Sequence, residues 1–244
     1  MPRKHRILAL VFHEFENLDL FGPMGAIIPG SDYYTLELVN VHNLPSPNGL
    51  ESSIKNGIGI TPNMTLTQAL EDTKPFSTLF IPGGLSMMHF LEDAILLEKI
   101  GQLVLRASTV FTVCTGSLIL AATGVLDGRG ATCNKQLFDE VTPKYPHVIW
   151  KKKARWVQDR KYLTASGVTA GIDAGFAFVA RTYLAPEDRD DRPEIIAEGQ
   201  ADNESFPRNY DSEKAIKYAR HVARMVEHCW NEDPGNDPFA VTSA

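Results

Sequence analysis

The chain has 244 residues, of which 43% are hydrophobic and 22% charged, with a formal net charge of −6. That composition is ordinary for a globular protein, and its acidic balance (pI ≈ 5.6) argues against a nucleic-acid partner. No apolar run approaches the ~18 residues a membrane-spanning helix needs, so no membrane association is expected.

In chain order, "ILALVF" (7–12) reads as a first strand and not as a secretory leader, because acidic residues follow it directly and no small-residue cleavage pattern appears. "YTLELVNV" (34–41), "STLFIPGG" (77–84), "TVFTVC" (109–114) and "YLTASG" (162–167) continue the series. Near-continuous apolar runs of this kind indicate parallel strands covered on both faces. Helices are expected over 93–107, with Leu96, Ile100, Leu103 and Val104 on one face, and over 169–184, where Gly171, Ala174, Gly175 and Ala177 permit close packing. The alternation predicts an α/β sandwich with a mainly parallel sheet.

Residues 49–61 and 148–163 read as antiparallel hairpin additions, the second turning at "QDRK" and carrying Lys151–Lys153 and Arg155 as a solvated basic patch. Charge and proline accumulate over 186–211, a surface crossing. Over 212–230 an apolar stripe (Ile216, Ala219, Ala223, Val226, Trp230) is expected to pack on the parent domain. One domain is expected over 1–232, followed by an irregular tail, 233–244.

Three cysteines, Cys114, Cys133 and Cys229, form no CxxC pair and no disulfide framework, which suits a reducing cytoplasm. Cys133 and Cys229 read as packing residues. Cys114 stands at the corner where a strand passes into "TGSLILAA". At such a corner the amides of a helix start would stabilise a thiolate and lower the pKa, although a buried cysteine acting as apolar filler fits equally well. Gly83 and Gly84 end another strand and expose amides able to bind developing negative charge. Asp19, among Leu18, Leu20 and Phe21, has either a raised pKa suited to proton transfer or the role of a helix N-cap. The His residues show no metal-ligand spacing, and Gly57 and Gly59 lack the third glycine of a dinucleotide fingerprint, so no metal or cofactor is expected. His89 reads as an ordinary surface or core group, and Met87–Met88 as candidates for a pocket wall.

Four segments resemble the DJ/ThiJ/PfpI superfamily of glutamine-amidotransferase-like domains in order and in register: "LDLFGP" (18–23), "LFIPGG" (79–84), "VCTGSLILAATGVLDGRGAT" (113–132) and "SGVTAGIDAG" (166–175). The resemblance spans about residues 6–184 and implies a flavodoxin-like three-layer sandwich, usually dimeric. It is strongest to the isocyanide (isonitrile) hydratase branch, in which the corner also reads Cys-Thr-Gly. It implies that Cys114 is the nucleophile and Asp19 the carboxyl group bonded to it. It further implies substrate-facing amides at Thr115 and at the Gly83–Gly84 pair, and a pocket-wall position at Thr169. The implied reaction is hydration of a small-molecule isonitrile to an N-formamide through a cysteine thioimidate. Glyoxalase-like conversion of a 2-oxoaldehyde and redox sensing through the same cysteine are the alternatives. Two departures stand out: Thr115 occupies the place where peptidase-like and glyoxalase-like branches carry His, and "ATCNK" (131–135) replaces a segment close to "ATTHW".

Overall fold

The computed structural model describes residues 4–29, 32–42, 50–51, 59–84, 86–183 and 212–239. The elements begin with β1 (His5–Val11), α1 (Asn17–Ile27), β2 (Tyr34–Asn40), β3 (Leu50–Glu51), β4 (Gly59–Ile60), β5 (Met64–Thr65), α2 (Leu66–Glu71), β6 (Thr78–Ile81), α3 (Met87–Phe90) and α4 (Ala94–Arg106). There follow β7 (Thr109–Val113), α5 (Gly116–Ala122), β8 (Gly130–Ala131), α6 (Phe138–Val141), β9 (Ile149–Trp150), β10 (Trp156–Asp159), β11 (Tyr162–Ala165), α7 (Val168–Thr182) and α8 (Ser212–Met225).

The main sheet has seven strands in the order β10-β11-β7-β6-β1-β2-β5. Every pairing is parallel except β10 with β11. The central strands β6 and β7 are buried along their whole length, as the unbroken apolar runs predict. On β1 the one side chain not buried is Arg6, which meets Glu37 on β2 and Asp72 beyond α2 at 2.8 and 2.6 Å. Helices α1, α7 and α8 pack together, and α4 packs with α2 and α5. The fold is a flavodoxin-like α/β sandwich whose seven-stranded sheet has one antiparallel pair among the described residues.

Helix α4 starts where Asp93 Oδ1 accepts the Leu96 amide at 2.9 Å, and it buries Ile100, Leu103 and Val104 as its periodicity predicts. Helix α7 lies close to its neighbours because Gly171 faces the Val113 and Pro23 side chains and Gly175 faces the Pro23 backbone, where a Cβ would stand 2.9 and 3.0 Å from the nearest atom.

Several expectations shift. The hairpin is confined to β10 and β11; residues 149–150 instead pair in parallel with β8. Arg155 is no solvated charge: it is buried and bonds Asp173 of α7 at 2.6 Å. Helix α8 ends at Met225, leaving Val226 exposed, and buries Ala215, Ala219, Val222 and Ala223. Tyr218 of α8 stacks on Tyr183. Cys229 is exposed, not packed, because it lies past the end of α8. Leu50–Glu51 and Gly59–Ile60 form the expected antiparallel pair; their connection, the crossing at 186–211 and residues 240–244 lie outside the described residues. Among the described residues no helix is long and apolar enough to cross a membrane.

Candidate active site

The site lies beyond the carboxyl ends of β1, β6 and β7, where open parallel sheets bind their ligands. Strand β7 delivers Cys114, whose amide still donates to Ala165 of β11 at 3.0 Å. The chain then reverses into α5 through a φ of 59° at Cys114 itself. A left-handed conformation at a non-glycine residue costs energy, and it holds the side chain out of the strand's own plane. Gly116 makes the reversal sterically possible, since a Cβ there would stand 2.4 Å from the Ile81 carbonyl oxygen.

Asp19 arrives on the first turn of α1. It is not the N-cap: Glu16 caps the helix by accepting the Leu18 amide at 3.3 Å. Asp19 is fully buried and its Oδ2 accepts the Gly83 amide at 3.0 Å. Its Oδ1 makes no hydrogen bond of normal geometry, although the Cys114 thiol and the Val168 amide are near enough to favour the carboxylate. Burial outweighs these contacts and pushes the carboxyl pKa up to about 7. The raised value expected from an apolar setting is what the structure has.

Cys114 is 8% exposed. Burial drives its thiol pKa well above the ordinary value, and Asp19 and Cys133 add to the rise; the Asn134 side chain and the Thr115 amide oppose it without prevailing. The expectation of a lowered pKa is therefore corrected. Desolvation of the sulfur beside a carboxyl group outweighs the amides of the seven-residue α5. The resting group is a thiol adjoining a carboxyl.

The Gly83–Gly84 amides are not free donors. Gly83 donates to Asp19, and Gly84 donates to Thr115 Oγ1 at 3.1 Å. The pair acts sterically: a Cβ on Gly83 would stand 2.8 Å from Asp19 Oδ2, from Cys114 Cβ and from the Thr115 nitrogen. A Cβ on Gly84 would stand 2.4 Å from the Glu14 carbonyl oxygen. The glycines thus allow three elements to meet at the sulfur. Thr115 has its amide on the Cys114 sulfur and its hydroxyl on Gly84. Thr169 is exposed on the first turn of α7, and the residue that reaches Asp19 from that turn is Val168.

Asn134 completes the site and has no assigned role in the sequence reading. Its Nδ2 donates to Cys114 Sγ at 3.1 Å. The only sequence signal was its place in the departing "ATCNK" segment. Cys133 is packed with Leu118, Phe138 and Val141 and its pKa is pushed up to about 11 by burial, in keeping with a packing role. Lys135 turns away and binds Thr132 Oγ1, the Ala154 carbonyl and Asp237. Met87 is core, Met88 packs on the Cys133 cluster, and His89 is exposed. Among the described residues no group of His, Cys, Asp and Glu is arranged to hold a metal ion.

A cysteine stands at this strand-to-helix corner beside a buried acid, and the chain has clear relatives. The chain is 31% identical over 164 residues to the isonitrile hydratase of Pseudomonas putida, a stretch covering 67% of this chain and 66% of that enzyme. The structure resembles that of a ThiJ/PfpI family protein from Pseudomonas syringae (TM-score 0.66, 26% identity), over 95% of this chain and 77% of that one. It also resembles oxidised DJ-1 of Toxoplasma gondii in fold (TM-score 0.65, 13% identity), over 93% of this chain and 100% of that one. The model of the DJ-1/PfpI family matches residues 5–181, and the chain belongs to that family.

Proposed function

We propose that the protein is a cysteine-dependent lyase that hydrates an isonitrile, or a similarly small neutral electrophile, to an N-formamide. The observation that carries the reading is the adjacency of the Cys114 thiol to Asp19, a buried carboxyl with a pKa of about 7. The likeness to isonitrile hydratase supports the substrate class. The slight exposure of Cys114 favours a narrow electrophile.

Near neutrality a large fraction of Asp19 is ionised and can accept the thiol proton as sulfur attacks the terminal isonitrile carbon. The carbon lone pair takes that proton back from Asp19, giving R–N=CH–S–Cys114. Water then adds to the same carbon. Asp19 accepts the water proton and the nitrogen gains one, giving R–NH–CH(OH)–S–Cys114. Collapse breaks the C–S bond, the hydroxyl proton returns to sulfur through Asp19, and R–NH–CHO leaves. One water is consumed and the cysteine is regenerated. No electron is gained or lost, so the chemistry calls for no redox carrier. The Thr115 amide supports the charge on sulfur during attack.

Incubation with a simple alkyl or aryl isonitrile should yield the N-formamide, and Cys114→Ser should abolish it. No product from wild type, or undiminished product from Cys114→Ser, rejects the reading. The protein is further proposed to act as a homodimer, supported by the exposed Leu18 and Phe21 flanking Asp19 on α1. Light scattering should give twice the 27.0 kDa chain mass.

A further inference from the structure

The loop after β8 brings Asn134 to the sulfur in a fixed orientation. Asn134 Oδ1 accepts the backbone amides of Gln136 and Leu137 at 2.9 and 3.4 Å. With the oxygen end so occupied, the Nδ2 end is directed to Cys114 Sγ at 3.1 Å. The next residue anchors the loop from its far side, because Lys135 holds Thr132 Oγ1, the Ala154 carbonyl and Asp237 at 2.9, 2.7 and 3.3 Å.

We infer that Asn134 is the positioning residue of Cys114: its carboxamide donor aims a sulfur lone pair and stabilises the negative charge that sulfur acquires during attack, without supplying a titratable proton. The inference rests on reading Cys114 as the nucleophile and extends it. The titratable groups facing the sulfur are Asp19 from α1 and Cys133 from the same loop, and the backbone amide facing it is that of Thr115. Cys133 is buried with a pKa near 11, so proton movement falls to Asp19.

Asn134→Asp is nearly isosteric and keeps an oxygen for the Gln136 and Leu137 amides while replacing the donor at sulfur by an acceptor. Alkylation of Cys114 by iodoacetamide, followed across pH 6–10, should slow by at least about tenfold at pH 8, with its rise displaced to higher pH, since each unit of thiol pKa changes the thiolate fraction about tenfold. Asn134→Ala should give a smaller fall. A folded Asn134→Asp protein whose profile superimposes on wild type overturns the inference. Should that variant not fold, Cys114→Ala in uniformly 15N-labelled protein provides the second measurement. One asparagine side-chain amide pair should then shift when the sulfur is removed, and unchanged side-chain amides overturn the inference. Neither readout uses an isonitrile. Absence of formamide from wild type thus overturns the hydratase reading and leaves this inference intact, and superimposable alkylation profiles do the reverse.

Discussion

The Gly83 amide donates to Asp19 Oδ2 at 3.0 Å, tying the first turn of α1 to the loop beyond β6 directly beneath the Cys114 sulfur. That bond favours the ionised carboxyl, yet burial raises its pKa from 3.8 to about 7. The folded state therefore binds a proton more tightly than the unfolded state. This group's contribution to stability is full below about pH 4, declines as pH rises toward 7 and is level above. Asp19→Asn keeps an acceptor for Gly83 and removes the charge. It should be more stable than wild type at pH 8, by up to ~4 kcal/mol, and little different at pH 4. Urea denaturation at the two values checks this; parallel shifts at both would show that desolvation of Asp19 is not the cause.

His5 is buried between β2 and α7, edge-on to Tyr33, Tyr34 and Phe178, with Nε2 at 2.7 Å from Thr78 Oγ1. Burial lowers its pKa from 6.5 to about 3. Here the unfolded chain binds the proton more tightly, so stability is lost as pH falls from about 6.5 toward 3, on the order of 4 kcal/mol in all. Replacing His5 by Gln should flatten that part of the stability–pH curve. An unchanged slope between pH 6.5 and 4 would assign acid sensitivity elsewhere.

Gly84 and Gly116 sit where backbones approach too closely for any side chain. In Gly84→Ala the new methyl would lie 2.4 Å from the Glu14 carbonyl oxygen and 2.7 Å from Phe15 Cα. In Gly116→Ala it would lie 2.4 Å from the Ile81 carbonyl oxygen. Neither neighbour is a flexible side-chain end. Each substitution should cost ~1–3 kcal/mol and slow Cys114 alkylation by displacing the corner. Gly101→Ala, in open space on α4, is the control and should stabilise or be neutral. Equal thermal midpoints for all three would contradict the packing described.

Asp173, buried within α7, holds Arg155 through Oδ2 at 2.6 Å and His228 and the Asn231 amide through Oδ1 at 2.9 and 3.1 Å. Asp173→Ala leaves the Arg155 guanidinium buried without its partner and should cost ~3–5 kcal/mol. Hydrogen exchange over 228–237 should accelerate at the same time, since Pro234 is also held by the Arg155 amide at 2.7 Å. Unchanged exchange in that segment would mean the cluster does not fasten it.

Much of the scaffold is legible along the chain, because a strand buried on both faces must be apolar at consecutive positions. The runs around Leu8, Phe80 and Phe111 show this directly. Helix α4 was legible for the same kind of reason, from Ile100, Leu103 and Val104 at helical spacing. Helix α1 was not, since Pro23 and two glycines lie inside it and its buried face includes Asp19. Arg155 misled for a related reason: beside three lysines it reads as solvated, and only its Asp173 partner, distant in sequence, explains its burial.

Local sequence determined the chemistry available, namely a cysteine at a strand-to-helix corner, a carboxyl group after the first strand and glycines where chains must touch. Their proton affinities were decided by tertiary structure. The sign of the Cys114 shift depends on how much water the fold removes and on Asp19 being brought beside the sulfur from 95 residues away, and Asn134 reaches it only because β8 and the Lys135 anchor deliver that loop. Burial and Coulomb interaction act through space, so residues adjacent in the chain could name the participants but not the balance among them.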